Sequence, residues 1–124
     1  MQYTLLIYQS PSDFAARTDP DRRDAFWGAF VPYLESLYAA GVVVAGAGLE
    51  PPESATLVNV TEGQRRVQDG PYADTQEQLG GWFIIDVPDL DTALEWAARC
   101  PGGQSTLVEV RPLLPHNPDE SARL

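Results

Sequence analysis

Apolar positions along the chain follow two periods. Tyr3–Tyr8 and Trp82–Val87 are apolar on both alternating faces, the pattern of strands covered on each side. Phe26, Trp27, Phe30, Val31, Leu34, Leu37 and Tyr38 recur at helical spacing and predict a wide apolar helix face. Asp19-Pro20-Asp21 reads as the start of that helix, with Asp19 as N-cap and Pro20 at the first helical position, and Gly41 reads as its C′ residue. Pro32 lies inside it and predicts a kink, because proline removes one N–H and crowds the carbonyl of Gly28. Ser10–Thr18 reads as a polar link.

Val42–Leu49 predicts a second strand and Glu50-Pro51-Pro52-Glu53 an exposed turn. Ala55–Val60 and Arg65–Gln68 read as a hairpin around Thr61–Gln64. Beyond Pro88, Asp89 caps a second helix that carries Leu90, Ala93, Leu94, Ala97 and Ala98 inward, and Pro101-Gly102-Gly103 stops it. Thr106–Leu113 is the last strand, with Glu109 and Arg111 on one face. The order β, α, several β, α, β predicts an α+β domain with two helices on one face of a mainly antiparallel sheet. We expect one domain over residues 1–114 and a loose tail over 115–124, rich in Pro, Asp, Glu and Ser. Strands apolar on both sides leave the second sheet face to be covered, which predicts a homodimer.

The charge balance narrows the partners. Eighteen acids against eight basic residues, all of them arginine, give a net charge of −10. Such a field disfavours direct contact with nucleic acid or an anionic membrane. Cys100 is the single cysteine, so an intramolecular disulfide is excluded and a reducing, cytoplasmic setting is expected. Met1–Leu5 has no basic stretch leading into an apolar one, so no signal peptide is expected.

Candidate chemistry gathers in residues 69–81, a polar, turn-rich stretch between apolar runs. Asp-Gly-Pro breaks the chain there, since glycine accepts unusual backbone angles and proline fixes its own. Asp69, Asp74 and Glu77 lie close in sequence, and neighbouring carboxylates raise each other's pKa toward the range of general acids and bases. Tyr72 adds a phenol that can donate a proton. Each has a plainer alternative: Asp69 beside glycine is an Asx turn, and Asp74-x-x-Glu77 is a capping box at a helix start. On the last strand, Arg111 holds an anionic substrate that Glu109 orients, or the two make a cross-strand or intersubunit ion pair. Tyr8 and Tyr33 line the same cavity or belong to the core, and Gln78 completes the substrate-binding candidates. No metal or cofactor is expected. Zinc-type ligand spacing is absent, and Gly46-Ala47-Gly48 precedes no helix start that could cradle phosphate. Cys100 reads as a buried small hydrophobe.

Asp69-Gly70-Pro71-Tyr72-Ala73-Asp74-Thr75-Gln76-Glu77-Gln78-Leu79-Gly80-Gly81 resembles the DGPF motif of the YCII-related domain proteins. Leu5–Tyr8, Ala39–Val42, Gly48–Pro52, Asp89–Ala97 and Val108–Pro112 extend the likeness over nearly the whole chain except the tail. Tyr72 stands where the motif has Phe. The resemblance implies a ferredoxin-like fold of the dimeric α/β-barrel type. It also implies one of two roles. Some relatives in the wider group look like cofactor-independent enzymes, here an isomerase or lyase, acting on small aromatic or lactone substrates. Members of the DGPF branch are often encoded beside extracytoplasmic-function sigma factors, which implies a binding or regulatory module with a sigma factor as partner. The wider group is associated with a His–Asp pair in its cleft. The only histidine here is His116, in the expected tail, so the sequence departs from that pattern.

Overall fold

The computed structural model describes residues 1–102 and 106–115. Four strands form one antiparallel sheet: β1 (Gln2–Gln9), β2 (Val43–Gly48), β5 (Gln78–Asp86) and β6 (Leu107–Pro112), in the order β2-β5-β1-β6. A separate two-stranded sheet is the hairpin β3 (Thr56–Thr61) and β4 (Gln64–Asp69). Three helices, α1 (Pro11–Ala16), α2 (Arg23–Ala39) and α3 (Leu90–Ala98), connect the strands. The architecture is the α+β, ferredoxin-like one expected, with the hairpin inserted between β2 and β5.

Period-two alternation decides which face of the sheet meets the helices. Tyr3, Leu5, Ile7 and Gln9 of β1 are buried, while Thr4, Leu6 and Tyr8 between them are half-buried. Across the register, Tyr3 faces Ile85 and Leu5 faces Phe83, so one inward surface continues through β5. Tyr33 and Leu37 of α2 and Ala93 and Ala97 of α3 close over it, with Val87 and Cys100 at its margin. Leu5, Leu37 and Ile85 lose all contact with solvent, and burying each side chain stabilises the fold by about 1.5–3 kcal/mol.

Several element boundaries follow the sequence closely. Asp89 caps α3 by accepting from the N–H of Thr92 at 2.9 Å, and Gly41 takes φ 71° just past α2, the left-handed turn that ends a helix. The hairpin turns on Glu62 and Gly63 alone, at φ 52° and 76°, the two-residue geometry that matches strand twist. Helix α2 runs through Pro32 unbroken.

Other expectations are corrected. Ser10–Thr18 is not a plain link: Ser10 accepts from the N–H of Asp13 at 3.1 Å, Pro11 opens the turn, and α1 results, burying Phe14 and Ala16. Helix α2 starts at Arg23 rather than beside Asp19; Asp19 instead holds the preceding turn, its carboxylate accepting from the N–H of Asp21 at 2.9 Å. Leu90, Leu94 and Ala98 do not point inward on α3. Ala93, Ala97 and the following Cys100 face the sheet, because small side chains let a short helix sit close to it. No helix follows Asp74, so Asp74 and Glu77 form no capping box. The expected tail lies outside the described residues apart from Pro115, and His116 with it. Among the described residues, no helix is long and apolar enough to cross a membrane.

Candidate functional site

The apolar face of α2 is wider than the core needs. Tyr33 and Leu37 fill the core and Phe30 packs against it, whereas Phe26 and Trp27 continue past it toward the cavity that the edge strand β2 lines. Phe26 and Phe30 stack at 5.9 Å, and Trp27 meets Phe26 edge-on at 4.9 Å. Between this aromatic wall and the backbone of Gly46–Gly48 and Gly80–Gly81 lies a cavity of about 270 Å³. That is just below the range for small-molecule sites, which run from about 300 Å³ upward.

Its polar end is made by Arg17 and Gln9. Arg17 follows the last turn of α1, and its guanidinium crosses to the sheet. One terminal nitrogen donates to the carbonyl of Leu49; the other donates to Gln9 Oε1 and, at 2.8 Å, to the carbonyl of Gly80. The Arg17 carbonyl accepts from the Trp27 indole N–H at 3.0 Å, fixing the aromatic wall to the same residue. The guanidinium also lies 4.8 Å from the centre of the Phe14 ring, a cation–π arrangement. A side chain at Gly80 would force Gln9 and Arg17 to shift. A Cβ there would fall 2.2 Å from Gln9 Oε1.

The electrostatics of Arg17 are unbalanced. Its oxygen acceptors are all neutral, and among the described residues no carboxylate lies within ion-pairing distance of it. Nε is buried with no hydrogen-bond partner. Burial holds the guanidinium below its ordinary pKa, and the more distant charge of Glu50 works the other way. Arginine stays protonated regardless, so the chain carries a poorly compensated cation at the wall of an apolar cavity.

The loop candidates lie elsewhere. Asp69 ends β4, and Tyr72, Asp74 and Glu77 all expose their side chains, Tyr72 to 88%. Gln78 shapes this loop: its Nε2 donates to the carbonyls of Ala73 and Thr75, each at 2.8 Å. Asp74 and Gln78 line an open groove with Phe14, the residue covered by the Arg17 guanidinium, so groove and cavity share a wall. Tyr8 and Tyr33 fall on opposite faces of the sheet and do not share a cavity. Tyr33 is buried under α3, donating to the Trp96 carbonyl at 2.9 Å, and burial pushes its phenol up. Tyr8 points to the open face and donates to Glu109 Oε1 at 3.0 Å. That bond holds the Tyr8 phenol above its ordinary value, with some burial and the Glu109 charge adding to it and Arg111 opposing. Glu109 and Arg111 face Leu6 and Thr4 on that surface. Among the described residues, no group of three or more His, Cys, Asp or Glu side chains is placed to hold a metal ion.

Arg17 and Gln9 were not among the residues singled out from sequence. The available signal was a lone arginine in a stretch with buried-type neighbours, Phe14-Ala15-Ala16, which on its own says nothing of cavity or partner.

The chain has relatives among known proteins. The profile of the YCII-related domain matches residues 1–117. An uncharacterised protein of Rhizobium meliloti (strain 1021) is 37% identical over 83 residues, covering 65% of this chain and 67% of that protein. Among solved structures, the chain is similar to a 5-chloro-2-hydroxyhydroquinone dehydrochlorinase from Burkholderia phenoliruptrix AC1100 in complex with 2,5-dihydroxybenzoquinone. The identity is 18% and the TM-score 0.46, over 88% of this chain and 91% of that one.

Proposed function

The chain belongs to the YCII-related domain family, and from that premise we propose that it binds a small, planar, anionic molecule in the cavity beside Arg17 and acts on it as a cofactor-independent isomerase or lyase. The observation that carries this reading is the Arg17 guanidinium, partly desolvated and met only by neutral oxygens. An anionic ligand oxygen supplies the missing counter-charge, and a charge-assisted hydrogen bond of this kind contributes about 1.5–3 kcal/mol. The same cation stabilises the negative charge that develops on a substrate oxygen when the neighbouring carbon gives up a proton to water, the enolisation with which either reaction type can begin. The stacked rings of α2 and the glycine-rich wall opposite favour a flat ligand. On this reading the loop residues Asp69, Tyr72, Asp74 and Glu77 flank the site rather than form it.

We also propose that a second copy covers the open sheet face. Leu6, Trp82 and Ile84 are half-buried there and Leu107 is 55% exposed, around the Tyr8–Glu109 hydrogen bond. Val58, Val60 and Val67 of the hairpin are exposed as well. A mass measured by light scattering at the dimer value supports this; a monomer at tens of micromolar contradicts it.

The ligand reading is tested by titrating the protein with benzoate and with its neutral isostere benzamide, followed by tryptophan fluorescence. Benzoate is expected to bind at least about tenfold more tightly, the factor that 1.4 kcal/mol makes. Equal affinities would overturn the role given to Arg17.

A further inference from the structure

The glycines of the cavity wall have different reasons to lack a side chain. At Gly46 a Cβ would lie 2.4 Å from the Phe83 ring, and at Gly80 it would lie 2.2 Å from Gln9 Oε1, so packing within the chain accounts for both. Gly48 has no such reason. A Cβ built there meets no atom of the described residues within 4 Å, and its φ is not in the left-handed region. Gly48 sits on the edge strand β2, opposite Gly81, where a β-branched residue is compatible with strand geometry.

Direction supplies the second half of the argument. Side chains alternate along a strand, so positions 46 and 48 project to the same face. The Gly46 Cβ vector runs into Phe83, a buried residue on the helix side of the sheet. A side chain at 48 therefore projects to that side also, into the space that Gly48 lines with Trp27 and Arg17. Neither fold nor backbone explains the absence of a side chain there, whereas an occupant of the cavity does.

We propose that Gly48 is a specificity-determining position: its missing side chain leaves room for the ring of the bound anion, and the residue at 48 sets how large a ring the cavity accepts. This rests on the anion-binding reading of the same cavity. With Arg17 holding the anionic group, the ring lies between the α2 aromatics and the β2 backbone and passes Gly48, whose chain neighbour Leu49 accepts a hydrogen bond from Arg17. A larger ligand depends on that room more than a smaller one.

The test titrates wild type, Gly48→Ala and Gly48→Val with benzoate and with 2-naphthoate, alongside thermal melts of each. The melting temperatures are expected to stay at or above that of wild type. The ratio of the 2-naphthoate to the benzoate dissociation constant is expected to rise at least about tenfold in Gly48→Val, with Gly48→Ala between, the scale on which pockets discriminate by a methylene or two. An unchanged ratio overturns the proposal, including the case in which wild type does not bind 2-naphthoate. A Gly48→Val or Gly48→Ala protein that unfolds or melts well below wild type also overturns it, by showing that the fold itself needs glycine there. If wild type does not bind benzoate, the anion reading fails and takes this proposal with it. If it binds benzoate and the variants bind both ligands as wild type does, the reading stands and only the role of Gly48 falls.

Discussion

Arg17 donates to the backbone carbonyl of Gly80 at 2.8 Å, a bond that joins the end of α1 to β5 across 63 residues of chain. Because Gln9 Oε1 shares the same guanidinium nitrogen, a glutamine, an arginine and a glycine from three segments are locked into one arrangement. The arrangement leaves Nε without a partner and sets a cation against an apolar cavity.

Gly80→Ala is therefore expected to be costly. Its methyl must displace Gln9, which is only 6% exposed and tied to Arg17, and overpacking of this kind costs about 1–3 kcal/mol. Gly28→Ala is the control. Gly28 lies within α2 with nothing within 4 Å of its Cβ position, and replacement there is expected to stabilise by about 0.5–1 kcal/mol. Urea denaturation of the two variants measures both effects, and they should have opposite signs.

Asp89 links helix capping to pH. Its hydrogen bonds from the Thr92 hydroxyl, at 2.7 Å, and the Thr92 N–H, at 2.9 Å, hold its carboxyl below the usual aspartate value. A pKa depressed by folding means that the stabilisation is complete above the unfolded-state pKa and is lost as pH falls through the folded-state value. Asp89→Ala is expected to lower the melting temperature near neutral pH, and the gap from wild type to narrow below about pH 4. Asp89→Asn, which keeps a capping oxygen, is expected to stay closer to wild type near neutral pH. Melts from pH 3 to 7 check this.

Cys100 lies at the margin of the core, and burial pushes its thiol up to about 12. The native protein is expected to react with Ellman's reagent at pH 8 at least about a hundredfold more slowly than the unfolded chain, because the thiolate is the reacting species. Equal rates with and without denaturant would show that the region around the end of α3 opens freely.

The strands and α3 were legible because their signals are local. Uninterrupted apolar runs marked β1 and β5, and Asp89 after Pro88 marked a helix start. Helix α1 escaped because six residues are too few to show a period, and its decisive feature is the single hydrogen bond that Ser10 accepts. Asp19-Pro20 carries the chemistry of a cap, yet it only holds a turn that feeds α2, its carboxylate accepting from the N–H of Asp21 ahead of the helix start at Arg23. Asp74 and Glu77 have capping-box spacing with no helix to cap, because Gln78 already binds the loop carbonyls and β5 begins at once. The cavity was least legible of all. Arg17 meets Leu49 and Gly80, residues 32 and 63 positions away, and no pattern along the chain encodes such distances.

The central claim is that the cavity between α2 and β2 is a site for a small anion held by Arg17. A crystal structure of the protein grown with benzoate tests it most directly. The account predicts the carboxylate within hydrogen-bond reach of the Arg17 guanidinium, with the ring between Phe30 and Gly48. Benzoate bound instead in the groove beside Asp74, or on the open sheet face by Tyr8 and Glu109, with the cavity left empty, would contradict it.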